Sequence, residues 1–116
     1  MISGIYNMTI EQGSTYKLAL YWKNSANNPI DMTNYTAKMQ IRSSTGASVK
    51  LLEATTTSDE IVIYPLQGAI NVTIGHLQTA QLTPSVAVYD LEVSSPQGEV
   101  FKLLKGRVRI EGEVTR

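Results

Sequence analysis

Apolar and polar side chains alternate with a period of two through segment after segment of this chain, and few patterns restrict a fold so tightly. A strand turns successive side chains to opposite faces, so this alternation marks a half-buried pleated surface, whereas a helix repeats at about 3.6 residues. In 15–22, Tyr16, Leu18, Leu20 and Trp22 share one face, and Lys17, Ala19 and Tyr21 the other. In 35–42, Tyr35, Ala37, Met39 and Ile41 point one way, and Thr36, Lys38, Gln40 and Arg42 the other. Further strands are expected at 5–10, 48–53, 60–64, 69–74, 85–93, 99–105 and 107–114.

The punctuation agrees with that reading. Asn24-Ser25-Ala26-Asn27-Asn28-Pro29 competes for backbone hydrogen bonds and restricts the residue before proline, which makes a loop. Gly13, Thr45-Gly46, Pro65 to Gly68 and Ser94 to Gly98 supply further breaks, at roughly the 8–12 residue spacing of a sandwich or barrel. Ser95-Pro96-Gln97-Gly98 reads as a hairpin turn between Tyr89, Leu91 and Val93 on one arm and Phe101 and Leu103 on the other. Gly106 would interrupt an unusually long strand, which suggests a bulge or bend handing the chain to a second sheet. One helical turn is expected within Gly75 to Thr83, with Leu77, Ala80 and Leu82 covering an end of the sandwich before Pro84.

Short strands joined by short turns lack the crossovers that a parallel sheet needs. The expected fold is therefore all-β: an antiparallel β-sandwich, immunoglobulin-like in architecture, of about eight strands with at most one short helical turn. The 116 residues are enough for a single core, so 1–116 reads as one domain. With 42% apolar and 17% charged residues, burial can offset chain entropy. Trp22 is expected as a large core residue whose indole N–H needs a polar partner.

Charge and composition narrow the function. Ten basic and ten acidic side chains cancel, without a long run of either sign, so no field draws in a polyanion and nucleic acid is not an expected partner. Cysteine is absent, which removes disulfides, thiolate zinc sites and a thiol nucleophile. No stretch reaches the roughly 18 apolar residues of a membrane-spanning helix, and Met1 to Tyr6 lacks the basic start and apolar core of a secretory signal. No membrane partner is expected, and the chain is expected to be made and kept in a cytosol unless a larger particle carries it out.

The chemistry-bearing residues are sparse. His76 is the one histidine and has no evident nucleophile or orienting carboxylate beside it in sequence, so it reads as a loop or cap residue. Asp90 with Glu92, and Glu111 with Glu113, could pair as acid and base, but a solvated strand face explains them as well. Ser58-Asp59-Glu60 is a thin candidate for calcium. Asn7-Met8-Thr9, Asn34-Tyr35-Thr36 and Asn71-Val72-Thr73 match a glycosylation pattern that threonine-rich strands produce readily. Neither a phosphate loop nor a serine elbow is present, so no catalytic residues, cofactor or metal are expected. Tyr6, Tyr21, Tyr64 and Tyr89 could form a binding platform if they share an outer face, and otherwise are ordinary half-buried strand residues.

Two stretches together carry a family likeness. Tyr6-Asn7-Met8-Thr9-Ile10-Glu11-Gln12-Gly13 leads into Tyr16 to Trp22, and Val88-Tyr89-Asp90-Leu91-Glu92-Val93 precedes Gly98-Glu99-Val100 and Leu103-Leu104-Lys105-Gly106. With the terminal Val108 to Arg116, the chain resembles small virion structural proteins of tailed bacteriophages, associated with tails, baseplates or fibre attachment. The resemblance implies a β-sandwich adaptor present in several copies around a tail or fibre, with other virion proteins as partners, the virion as its location and the host cytoplasm as its place of assembly. It carries over no individual functional residue.

The termini are the expected contact regions. Residues 1–10, with Met1, Ile2, Ile5 and Tyr6, read as an apolar arm that docks on a neighbour, since such residues at a chain end would otherwise be poorly buried. Arg107, Arg109 and Arg116 are the candidates for meeting an acidic surface. The alternatives are a carbohydrate- or receptor-binding module, for which clustered outward tyrosines would speak, and a capsid decoration protein, which differs only in its partner.

Overall fold

The computed structural model describes residues 4–115. It shows an all-β sandwich of two sheets around one core. The strands are β1 (Gly4–Ile5), β2 (Met8–Glu11), β3 (Tyr16–Tyr21), β4 (Thr36–Arg42), β5 (Leu52–Thr55), β6 (Ile61–Tyr64), β7 (Ala69–Ile74), β8 (Ser85–Ser94) and β9 (Val100–Glu111). The larger sheet runs β1-β9-β8-β4-β5, with β2 following β1 along the same side of β9; the smaller runs β3-β7-β6.

Alternation does the sorting. On the larger sheet, Met8 and Ile10 (β2), Ala37, Met39 and Ile41 (β4), Ala87, Tyr89, Leu91 and Val93 (β8), and Val108 and Ile110 (β9) face the core. The smaller sheet answers with Ile70, Val72 and Ile74 from its central strand, and Met32 enters from the loop before β4. Each of the valine, leucine, isoleucine and methionine side chains among these contributes roughly 1.5–3 kcal/mol when fully buried, so a one-residue slip in any strand would be costly. On β3, an edge strand, Tyr16, Leu18 and Leu20, with Trp22 just beyond its end, pack against the core only partly buried.

Four expectations are corrected. The segment 5–10 breaks into β1 and β2, and both run parallel to β9, while every other ladder among the described residues is antiparallel. The strand expected at 48–53 forms at Leu52–Thr55, because Val49 and Leu51 remain exposed and Leu52 and Ala54 take the core positions. The segments 99–105 and 107–114 form one strand, Val100–Glu111, which passes straight through Gly106. The bulge lies earlier: Leu91 pairs with Leu104 and Glu92 with Lys102, which leaves Leu103 unpaired and shifts the inward face by one residue.

Gly106 has a different task. A Cβ there would stand 2.2 Å from the carbonyl oxygen of Tyr6, so only glycine lets the N-terminal strand lie against β9 at this point. The Tyr89 hydroxyl donates to that same Tyr6 oxygen at 2.6 Å, and the Arg107 amide donates to Asn7 Oδ1 at 3.0 Å where the ladder is interrupted. The arm is thereby latched at the gap between β1 and β2.

The helical turn is α1 (His76–Thr79), with Gly75 as its extended N-cap and the Gln78 side chain accepting the Gly75 N–H at 3.1 Å. Thr79 and Leu82 are buried, whereas Leu77 and Ala80 are exposed, so the apolar cover expected from Leu77 and Ala80 does not form. Instead the Thr79 hydroxyl donates to the Ser14 carbonyl at 2.7 Å, and Gln12 Nε2 donates to the Leu82 carbonyl at 2.9 Å. A single turn is too short to present an apolar stripe, so hydrogen bonds hold it in place. Trp22 is half-buried against Tyr35 and Phe101, with ring centroids 6.5 and 5.4 Å away, and its buried indole N–H finds no acceptor among the described residues.

Candidate docking surface

The outward face of the larger sheet carries a shallow depression of about 690 Å³. Strand register builds it. One row across the sheet reads Arg42, Val88, Arg107, and the next reads Gln40, Asp90, Lys105, Ile5. A third row adds Val86, Arg109 and Thr9. Residues directly opposite on neighbouring strands have Cβ atoms about 5 Å apart, so these charges interact.

The face divides into two halves. In the first, cations are matched by the protein's own acceptors: Lys38 lies 3.8 Å from Glu92, Lys50 3.2 Å from Glu53, and Lys102 3.4 Å from Asp90 and in close contact with Glu92. The hydrogen bond from Lys102 to Glu92 is the main cause that raises the lysine's pKa. A hydrogen bond from Gln40 at 2.6 Å, with Lys50 adding to it, lowers that of Glu53.

In the second half the cations have no carboxylate partner among the described residues. Among the described residues Arg42 donates to neutral oxygens, at 3.0 Å to the Ala47 carbonyl and 2.9 Å to Gln40. Among the described residues, Lys105, Arg107 and Arg109 make no ion pair. Asp90, the row neighbour of Lys105, is engaged by Lys102. Single surface ion pairs add little stability, so leaving these cations unmatched costs the fold almost nothing while keeping a positive patch available.

The expected contact residues separate accordingly. Ile5, 75% exposed, and Arg107 line the depression, and Arg109 lies one row beyond. Tyr6 sits apart from that lining: its carbonyl is held by Tyr89, and its phenol reaches Tyr16 on β3. Burial is the first cause that pushes the Tyr16 pKa up to about 12, with Tyr6 adding to it; burial likewise raises that of Tyr89. Ile2 and Arg116 lie outside the described residues. Ile5 and Tyr6, the described apolar residues of the expected arm, both remain exposed, while Met8 and Ile10 further along it are buried in the chain's own core. Sequence reasoning missed Arg42 and Lys105, and the outward position of Arg42 on its strand was the one available signal.

The four tyrosines do not share a platform: Tyr89 is buried, while Tyr21 and Tyr64 flank Ala69 on the outer face of the smaller sheet. Glu60 accepts hydrogen bonds from Ser58, Gln78 and the Thr55 amide, tying the β5–β6 turn to α1. Among the described residues no cluster of three metal-ligating side chains occurs, and no helix is long and apolar enough to cross a membrane. No protein-family model and no curated protein matches the chain.

Proposed function

We propose that this chain is a non-enzymatic assembly adaptor, docking through the outer face of its larger sheet on acidic surface of other proteins. The observation that carries the reading is the division of that face, where Lys38, Lys50 and Lys102 are neutralised internally while Arg42, Lys105, Arg107 and Arg109 make no ion pair among the described residues. Complementary charge of this kind contributes specificity and encounter rate more than raw affinity, which suits a small domain fixed at many equivalent positions. The likeness to small virion structural proteins supplies the setting: a tail, baseplate or fibre-attachment region of a phage particle. A sugar site on this face would want an exposed aromatic ring, and the one tyrosine in the lining, Tyr89, is 4% exposed.

The test is incorporation. Arg107→Glu combined with Arg109→Glu should fold normally by circular dichroism and drop out of particles assembled in its presence. Full occupancy of the doubly reversed chain would refute the proposal.

A further inference from the structure

The outward side chains of β9 change sign along the strand. Lys105, Arg107 and Arg109 are followed by Glu111, and Glu11 on β2 stands in register beside Glu111. Lys105 and Glu111 are about 20 Å apart at roughly 3.3 Å per residue. Neither glutamate makes an ion pair among the described residues, so two like charges face each other across the ladder, an arrangement that is destabilising where nothing relieves it. The strand carrying Glu11 is also an edge. Among the described residues β1 and β2 pair with β9 on one side and with no strand on the other, and no proline or lysine from Gly4 to Glu11 protects that side.

We infer that this edge pairs with the same edge of a second copy of the chain, antiparallel, about a twofold axis passing near Met8. Residues opposite one another in an antiparallel ladder share a face, so that axis sets Ile5 against Glu11 of the second copy and Asn7 against Thr9 of the second copy. Glu11 then lies two strands from Lys105 of the second copy, about 10 Å between backbones, which a glutamate and a lysine span together. The arrangement is isologous, so each contact occurs twice, as closed twofold symmetry requires. It relieves the glutamate pair and part of the cationic stripe at once, covers Ile5, satisfies the open backbone edge and joins two six-stranded sheets into one. Arg42 stays outside the seam, open to a different partner. This inference deepens the adaptor reading and rests on it for its setting in a particle.

The contact is small and charge-dependent, so the dimer is a weak one, populated at about 100 µM and multiplied by effective concentration once copies are held together. Sedimentation equilibrium on the purified full chain tests it. A dimer is expected at about 50 mM salt, dissociating at least tenfold more readily at about 500 mM, where the screening length falls to a few ångströms. Glu11→Lys and Lys105→Glu should each abolish the dimer, and the combination of both should restore it. Glu11→Gln, which disturbs the fold least, should weaken it without a change in the circular dichroism spectrum. A monomer at every concentration, or a dimer indifferent to both reversals, overturns the inference. A chain that stays monomeric yet enters particles, with entry lost on Arg107→Glu, overturns the dimer and leaves the adaptor reading intact; a salt-sensitive dimer that no particle incorporates does the reverse.

Discussion

The outer faces of the two sheets differ more than their inner faces do. On the smaller sheet, one row reads Ala19, Asn71, Val62 and the next Tyr21, Ala69, Tyr64, with Lys17 as the one charge on the outward face of β3. On the larger sheet most outward positions of the central strands are ionic or amide-bearing, with Val86, Val88 and Val100 as the apolar exceptions. The contrast runs against the habit of looking for partners on apolar surface. Interfaces that form and dissolve are about as apolar as the rest of a protein surface, so the neutral face is no better a candidate for carrying exposed Tyr21 and Val62. What distinguishes the larger sheet is cationic charge that no carboxylate among the described residues neutralises.

If the outside of the larger sheet serves recognition and its inside serves stability, substitutions should separate cleanly by side. The largest effect is expected on the inside. Gly106→Ala drives a Cβ into the Tyr6 carbonyl and should cost about 3 kcal/mol by denaturant unfolding. Gly46→Ala, with open space around it, should keep the wild-type midpoint apart from a small backbone effect. An unchanged midpoint for Gly106→Ala would mean the arm contributes little.

Next comes Tyr89→Phe, which removes the hydrogen bond to the arm and should cost about 1 kcal/mol at neutral pH. The phenols also set an alkaline limit. Because the folded-state pKa values of Tyr16 and Tyr89 are raised, folding favours their protonated forms. That contribution is fully present below the ordinary phenol range near pH 10 and is lost as pH climbs through about 12. Wild-type stability should therefore fall over that interval, and Tyr89→Phe should fall less steeply. Equal slopes would remove Tyr89 from the account.

The smallest effect is expected outside. Glu92→Gln loosens Lys38 and Lys102 and should cost about 0.5 kcal/mol, less in high salt. A loss as large as that of Gly106→Ala would break the comparison, since the outer charges would then be holding the fold.

Much of the architecture could be read from residue order. The alternation of Tyr16 to Trp22 and of Tyr35 to Ile41 places two strands within a residue of their observed bounds, because one face of each meets the core. The parallel course of the arm could not be read, since a period of two reports which side is buried and is silent about which strand lies alongside. Leu103-Leu104 did hold a clue: two adjacent large apolar residues break the alternation where the bulge lies. Gly106 was the louder signal and pointed to the wrong device, because its partner is a backbone oxygen distant in sequence. For the docking surface, Ile5, Arg107 and Arg109 were legible as outward residues of terminal strands. Arg42 was legible as an outward residue too, but it joins them only through the register of β4, β8 and β9, a tertiary fact that local alternation does not carry.

The latch of Tyr6 over Gly106 also orders events in time. The earliest described strands dock on the last, so the larger sheet cannot be completed until the chain has been synthesised through β9. Joining distant segments carries a large loop-closure penalty, which slows folding and leaves the early strand exposed to wrong partners while it waits. A chain shortened before β9 would leave Met8 and Ile10 without the strand beside which they are buried, and truncation from that end should yield aggregation rather than a smaller sandwich.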